Sequence, residues 1–152
     1  MIDAIQAVET RDLDQLRKFM ERIIVVEKVA DNLALQAELI HNVHQNLDWW
    51  QANREHCCHL KYTRDGQIVA VVLVKNFWNL CSLFVTPELH RQGIGRALIQ
   101  AAIQQCRALT ERPAIRLNSA PSAVPFYASI GFRHEESTRT LPPGFKAMAL
   151  RL

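Results

Sequence analysis

The stretch Leu83-Phe84-Val85-Thr86-Pro87-Glu88-Leu89-His90-Arg91-Gln92-Gly93-Ile94-Gly95-Arg96-Ala97-Leu98 decides the architecture. Its first residues complete a largely apolar run from Trp78 to Thr86 that reads as a strand, and Pro87 ends that strand because it has no N–H to give a ladder. From Ile94 onward, Ala97, Leu98, Ala101, Ala102, Gln105, Cys106 and Leu109 recur close to a 3.6 period, so a helix follows. Between strand and helix lies a polar loop with glycines at 93 and 95. Such a junction suits a phosphate. The first helical turn presents unpaired N–H groups and a partial positive charge, the glycines let backbone approach a diphosphate with no Cβ in the way, and Arg91 and Arg96 can add charge-assisted contacts. By spacing alone, a strand-to-helix turn that simply needs flexible residues explains the loop as well. A nicotinamide-type fingerprint fits worse, because Leu98 stands where its third glycine belongs and the loop lies mid-chain instead of after the first strand.

Working outward, Gln67 to Val74 contains IVAVVLV, apolar on both faces, which marks a central strand covered on two sides. His56 to Tyr62 precedes it as a strand, and Thr63-Arg64-Asp65-Gly66 between them is a hairpin signal. Further upstream, Ile2 to Glu9 suits a first strand and Thr10 a helix cap, with Leu13, Leu16, Phe19, Met20 and Ile23 at helical spacing. A second helix follows Asp31-Asn32, with Leu35, Leu39, Val43, Leu47 and Trp50 on one side. Downstream, Ala114 to Asn118 reads as a short strand, Ser122 to Ser129 as a short helix ending at Gly131, and residues 132–138 and 145–152 as two strands. The order βααβββαβαββ predicts a mixed α/β fold. No repeat or linker interrupts the 152 residues, so one domain over 1–152 is expected.

The composition, 49% hydrophobic and 22% charged, is that of a globular protein, and no apolar run approaches the length of a membrane span. The acidic start MIDAIQAVETRDLD lacks a secretory leader's pattern, so a cytoplasmic location and no membrane partner are expected. The formal net charge of +3 is spread without a basic run, which argues against nucleic-acid binding. Cys57, Cys58, Cys81 and Cys106 do not form a disulfide framework and read as reduced, mostly buried thiols. His56-Cys57-Cys58-His59 has ligand-type residues, but successive strand side chains point to opposite faces and cannot converge on one zinc ion. His41 and His44 share a helical face without a third ligand, so no metal is expected.

The segment from Leu80 to Arg107 resembles the acetyl-CoA-binding signature of the GNAT superfamily of N-acyltransferases, in which a strand ending Val-x-Pro-Glu leads to [Gln/Arg]-x-x-Gly-x-[Gly/Ala]. A later stretch, Asn118 to Phe132 (NSAPSAVPFYASIGF), resembles the same family's Phe-Tyr helix followed by Gly-Phe, in the same order and at the expected separation. The resemblance implies the GNAT fold, a mixed and mostly antiparallel sheet flanked by helices, and acetyl-CoA as cosubstrate. It implies that Leu83, Phe84 and Val85 offer backbone groups to the pantetheine arm, that the family splays this strand from its neighbour to free them, and that residues 90 to 96 (His90, Arg91, Gln92, Gly93, Ile94, Gly95 and Arg96) surround the diphosphate. Asn118 would hydrogen-bond the CoA arm, and Tyr127 would protonate the departing thiolate. His90 departs from the signature, which has Gln or Arg there; the side-chain bond that steadies the loop is therefore in question.

The implied reaction moves an acetyl group to a primary amine, a small molecule in the first instance and a protein amine in the second. An alkylammonium has no lone pair at pH 7, so a base is required. The strand from Trp78 to Val85 has no carboxylate, which leaves His44, Asp48, Glu55 and His56 as candidates. Trp49 or Trp50 is expected either to line an acceptor pocket or to fill the core. No cysteine has a partner histidine in a motif, which favours direct attack in a ternary complex. The alternative is a non-catalytic CoA-binding or regulatory module of the same fold, and homodimerisation is common among such proteins.

Overall fold

The computed structural model describes residues 2–26 and 32–152. Along the chain come β1 (Asp3–Ala7), α1 (Leu13–Val26), α2 (Leu33–Ala52), β2 (Cys57–Arg64), β3 (Gln67–Lys75), β4 (Asn79–Val85), α3 (Ile94–Leu109), β5 (Ala114–Ser119), α4 (Val124–Ile130), β6 (Arg133–His134) and β7 (Lys146–Arg151), joined in places by single 3-10 turns. The order is the expected one. All seven strands form one sheet in the order β1-β2-β3-β4-β5-β7-β6. Every neighbouring pair is antiparallel except β4 and β5.

The doubly apolar β3 explains the layering. Ala70, Val72 and Val74 join a core built with α3 and Phe132, while Ile68, Val71 and Leu73 join a second core under α1 and α2. Each buried aliphatic side chain here contributes about 1.5–3 kcal/mol, so a strand apolar on one face only would leave one helical layer without a floor. The same alternation parts Cys57, in the α1/α2 core, from Cys58, in the α3 core. The β2–β3 hairpin turns on Asp65 and Gly66 with φ of 53° and 83°, the paired positive values of a type I′ turn. Of the two residues before α2, Asp31 lies outside the described residues; Asn32 caps the helix, its Oδ1 accepting from the Leu35 N–H at 2.7 Å.

Two expectations need correction. Thr10 does not cap α1; Glu9 and Asp12 form a capping box around the preceding 3-10 turn, and the Thr10 hydroxyl instead accepts from Arg54 at 2.9 Å. The strand expected over 132–138 contracts to Arg133–His134. After Glu135, whose N–H still bonds Ala147 O at 2.8 Å and whose carboxylate accepts from Arg116 at 3.1 Å, the chain leaves the sheet to border a cavity. Among the described residues no helix is long and apolar enough to cross a membrane.

Candidate active site

The site begins with a defect in β4. Leu73 pairs with Ser82 and Val74 with Leu80, so Cys81 is an extra residue, a β-bulge. The bulge resets the side-chain alternation, placing Leu80 and Leu83 on the α3 face and Cys81 and Phe84 on the α1/α2 face. It also turns β4 away from β5. The two strands share one register pair, Asn79 with Arg116, closed by Arg116 N–H to Trp78 O at 2.8 Å. Beyond it a gap opens between β4 and β5. Thr86 N–H bonds Val69 O at 2.8 Å, toward β3, so by antiparallel alternation Phe84 also turns its N–H and C=O to β3 while those of Leu83 and Val85 face the gap. Of the three strand residues singled out in the sequence, two therefore present backbone there, and Phe84 presents its side chain to the cavity on the other face.

At the upper end of the gap the loop is anchored from several sides. The His90 ring lies 3.0 Å from Val85 O through Nε2, so a histidine can make a loop-steadying bond in place of Gln or Arg. Glu88 accepts from Arg22 on α1 at 3.1 Å and from the Thr86 hydroxyl at 2.8 Å. Arg91 sits at φ 65° and Gly93, the N-cap of α3, at φ 80°. Gly93 is needed for that left-handed φ, since a Cβ there would meet nothing within 4 Å. Gly95 is needed for space. A Cβ at 95 would lie 3.2 Å from Val85 Cγ2 and 3.5 Å from Phe126 Cζ, because the helix start packs directly on β4 and α4. Arg96 donates to Ser129 Oγ at 2.7 Å, and Ser129 in turn bonds Phe126 O at 2.6 Å, tying α3 to α4. Ile94 is buried, so toward an anion it offers only its N–H; Gln92 and the Arg91 side chain are exposed.

Tyr127 lies on α4, 7% exposed, edge-on to Phe126 and Phe132 at 5.3 and 5.6 Å between ring centres. Its hydroxyl makes no hydrogen bond among the described residues, and burial pushes the phenol well above its ordinary range, so it stays protonated at any physiological pH. Burial also pushes the thiols of Cys57 and Cys81 up to about 11, which leaves them poor nucleophiles. No group of three or more His, Cys, Asp or Glu among the described residues is placed to hold a metal.

On the α1/α2 face of the gap lies a cavity of about 600 Å³. Cys81, Ser82 and Phe84 form its floor, Leu35, Leu39 and Val43 of α2 with Ile24 of α1 one wall, and Asn118 with Leu141 and Phe145 the other. Lys75 and Asn79 border it where β4 begins. Of the residues on that side of α2, Leu35, Leu39 and Val43 border the cavity, and Leu39 also packs against the core. None of the four base candidates lines it. His44 is held by Arg17, at 2.8 Å, and by Glu21; Asp48 accepts from Arg17 at 2.7 Å; Glu55 and His56 belong to the turn before β2, with His56 bordering a separate cavity beside Trp78. Trp50 is buried against His59 and Trp49 lies under Lys75, so neither lines the cavity. The carboxylate that does is Glu38. Its signal in the sequence is a polar row, Glu38, Asn42 and Asn46 at four-residue spacing, beside the apolar row Leu35, Leu39 and Val43.

Residues 21–147 match the family model described as an acetyltransferase (GNAT) domain. A GCN5-related N-acetyltransferase (aminotransferase, class-II) from Rhodopseudomonas palustris superposes on 100% of this chain and 97% of its own with a TM-score of 0.80 at 17% identity. The PaiA N-acetyltransferase of Thermoplasma acidophilum, solved in complex with coenzyme A, covers 100% of both chains with a TM-score of 0.74 at 15% identity. At these identities the likeness is one of fold. The UPF0157 protein YqkA of Bacillus subtilis (strain 168) is 27% identical over 81 residues, which is 51% of this chain and 24% of that relative.

Proposed function

The chain belongs to the GNAT acetyltransferase family, and on that premise we propose that it transfers the acetyl group of acetyl-CoA to the primary amine of a small molecule, by direct attack in a ternary complex. The observation that carries the reading is the gap between β4 and β5, flanked by the N-terminus of α3 on one side and the cavity on the other. An extended pantetheine arm fits such a gap because its amides can bond the Leu83 backbone and the Val85 N–H as a neighbouring strand would, the Val85 carbonyl being taken by His90. The N–H groups of residues 92 to 96 supply the anion end. Asn118, which borders the cavity on β5 across the gap, would bond the arm, and the exposed Arg91 side chain would reach a phosphate.

Acetyl-CoA supplies an activated thioester; the chain supplies orientation, charge stabilisation and proton control. A β4 N–H aimed at the thioester carbonyl stabilises the negative charge that grows on its oxygen as the amine attacks. The ammonium must first lose a proton, and Glu38 is the carboxylate bordering the acceptor side. As the N–C bond forms and the C–S bond breaks, Tyr127 gives its proton to the departing sulfur, and the second proton shed by the new amide nitrogen returns, directly or through water, to the phenolate. The transfer is feasible despite the raised phenol if the thiolate forms beside Tyr127 out of water, where its own basicity is raised as well. The raised thiols of Cys57 and Cys81 agree with attack in one step, with no acyl group parked on a thiol.

Isothermal titration with acetyl-CoA tests the reading, with Gly93→Glu and Gly93→Ala as variants. Both carry the strain of a side chain at positive φ, but only the glutamate adds bulk and charge at the diphosphate. Binding by wild type and Gly93→Ala, lost in a folded Gly93→Glu, is the expected result. No binding by folded wild type would end the proposal, and binding without turnover of any amine would leave a CoA-binding module of the same fold.

A further inference from the structure

We infer that the acceptor is a zwitterion, a primary amine that also carries a carboxylate. The inference rests on the acetyl-transfer reading above and specifies its substrate class. Three charged side chains border the cavity, Glu38, Lys75 and Arg139, and none of them is ion-paired with any described residue. Ion pairs elsewhere join different elements, Asp12 with Lys61, Arg17 with Asp48, Arg22 with Glu88, Arg64 with Asp3 and Arg116 with Glu135, and none of them reaches into this cavity. Unpaired charges of both signs around one concave space are complementary to a ligand that brings both signs with it.

Their placement orders that ligand. Lys75 stands opposite Asn79 at the start of β4, and its ammonium lies 5.1 Å from the centre of the Trp49 ring on α2. Glu38 precedes Trp49 on α2 by about 16 Å of helix at 1.5 Å per residue. Phe84 lies about 16 Å along β4 from Asn79 at roughly 3.3 Å per residue. Arg22, near the end of α1, reaches Glu88 just beyond β4, and Ile24 and Leu35 border the cavity from the ends of α1 and α2 that lie nearest. From there α2 runs to Trp49 beside Lys75, so the carboxylate sits toward the Phe84 end, where the gap opens and the thioester would lie, and the ammonium toward the far end. An amine held by Glu38 is at the reacting end. A carboxylate on the same molecule then reaches Lys75, or Arg139 on the opposite wall. Two cations against one anion disfavour a second ammonium, so a polyamine is the poorer match. The amides of Asn42, Asn46 and Asn79 can bond the middle of the molecule, and Leu35, Leu39 and Phe84 can pack against its carbon chain.

The experiment pairs acids with their carboxamides. Acetyl-CoA-dependent turnover is measured for 6-aminohexanoate and glycine, each against its amide, and for 1,6-diaminohexane. The best acid should exceed its amide and the diamine by about tenfold or more in kcat/KM, the size of a charge-assisted contact. Lys75→Gln combined with Arg139→Gln should bring that acid down to its amide without changing the acetyl-CoA Kd. Both residues are partly or fully exposed, and thermal melts confirm that the variant folds. An amide or diamine turned over as well as the acids would overturn the inference. So would an acid preference that survives both substitutions, or no turnover of either acid by an enzyme that binds acetyl-CoA. Failure to bind acetyl-CoA in the titration would instead remove the acetyl-transfer reading itself, so the two failures are distinct.

Discussion

Replacing His59 with leucine should remove a pH-dependent loss of stability that the wild type carries. His59 is 6% exposed on the α1/α2 face of β2, edge-on to Trp50 at 4.8 Å, and its Nδ1 has no hydrogen-bond partner among the described residues. Burial lowers its pKa from 6.5 to about 3, outweighing the opposing pull of Asp12. Above pH 6.5 both folded and unfolded chains hold a neutral ring; below it the unfolded chain takes up a proton that the folded chain refuses, so stability falls as pH drops from 6.5 toward 3. Between pH 7.5 and 5.0 the loss is about 2 kcal/mol. Because pH 5 lies well above the native value, that figure is governed by the unfolded pKa. For a chain of this size it corresponds to about 4–8 °C in Tm. Asp12, held below its usual range because the Lys61 and Glu9 bonds outweigh its desolvation, begins to lose its own contribution only below about pH 4, outside this window. Urea unfolding followed by tryptophan fluorescence at the two pH values measures the effect in wild type and in His59→Leu, and the variant should lose about 2 kcal/mol less. An equal pH dependence in the two proteins would refute a buried, neutral His59.

Other predictions concern the gap and its supports. Tyr127→Phe should lower kcat by about 10²–10⁴-fold while leaving acetyl-CoA affinity and Tm unchanged, because the hydroxyl makes no hydrogen bond among the described residues and the three-ring stack persists; steady-state kinetics beside calorimetry separates these readouts. His90→Ala should weaken acetyl-CoA binding about fivefold through loss of the bond to Val85 O, and His90→Gln should restore it in the same titration. Lys61→Met leaves the Asp12 carboxylate buried without the partner now 2.7 Å away, both side chains being under 10% exposed, and should cost about 3–5 kcal/mol in urea unfolding. Iodoacetamide at pH 8 should alkylate Cys57 and Cys81 about a hundredfold more slowly than an unperturbed thiol, as read by peptide mass.

How much of this was legible in the chain depends on the range of the physics involved. Short-range rules were enough for β3, whose seven successive apolar residues require cover on both faces, for the Asp65-Gly66 hairpin, and for the α3 start, where Gly93 needs a left-handed φ. The two matched motifs also carry the family in the linear sequence. Within the same loop the roles of the glycines were not separable in sequence: Gly93 answers to backbone conformation, whereas Gly95 answers to Val85 and Phe126, residues far from it along the chain.

The candidate site divides along the same line. The linear sequence determined which residues follow the strand into the phosphate-type loop, because strand, proline, glycines and helix are contiguous and obey local rules. Only the tertiary structure decided that Cys81 is a bulge, since a bulge exists only relative to the partner strand it outnumbers. It alone decided that Leu83 and Val85, and not Phe84, turn their backbone to the gap. It alone decided that His44 and Asp48 are engaged by Arg17 while Glu38 borders the cavity. A side chain's chemistry is written in its own residue, but whether that chemistry meets a neighbour, the solvent or a cavity depends on which surfaces the packing of helices on the sheet leaves uncovered.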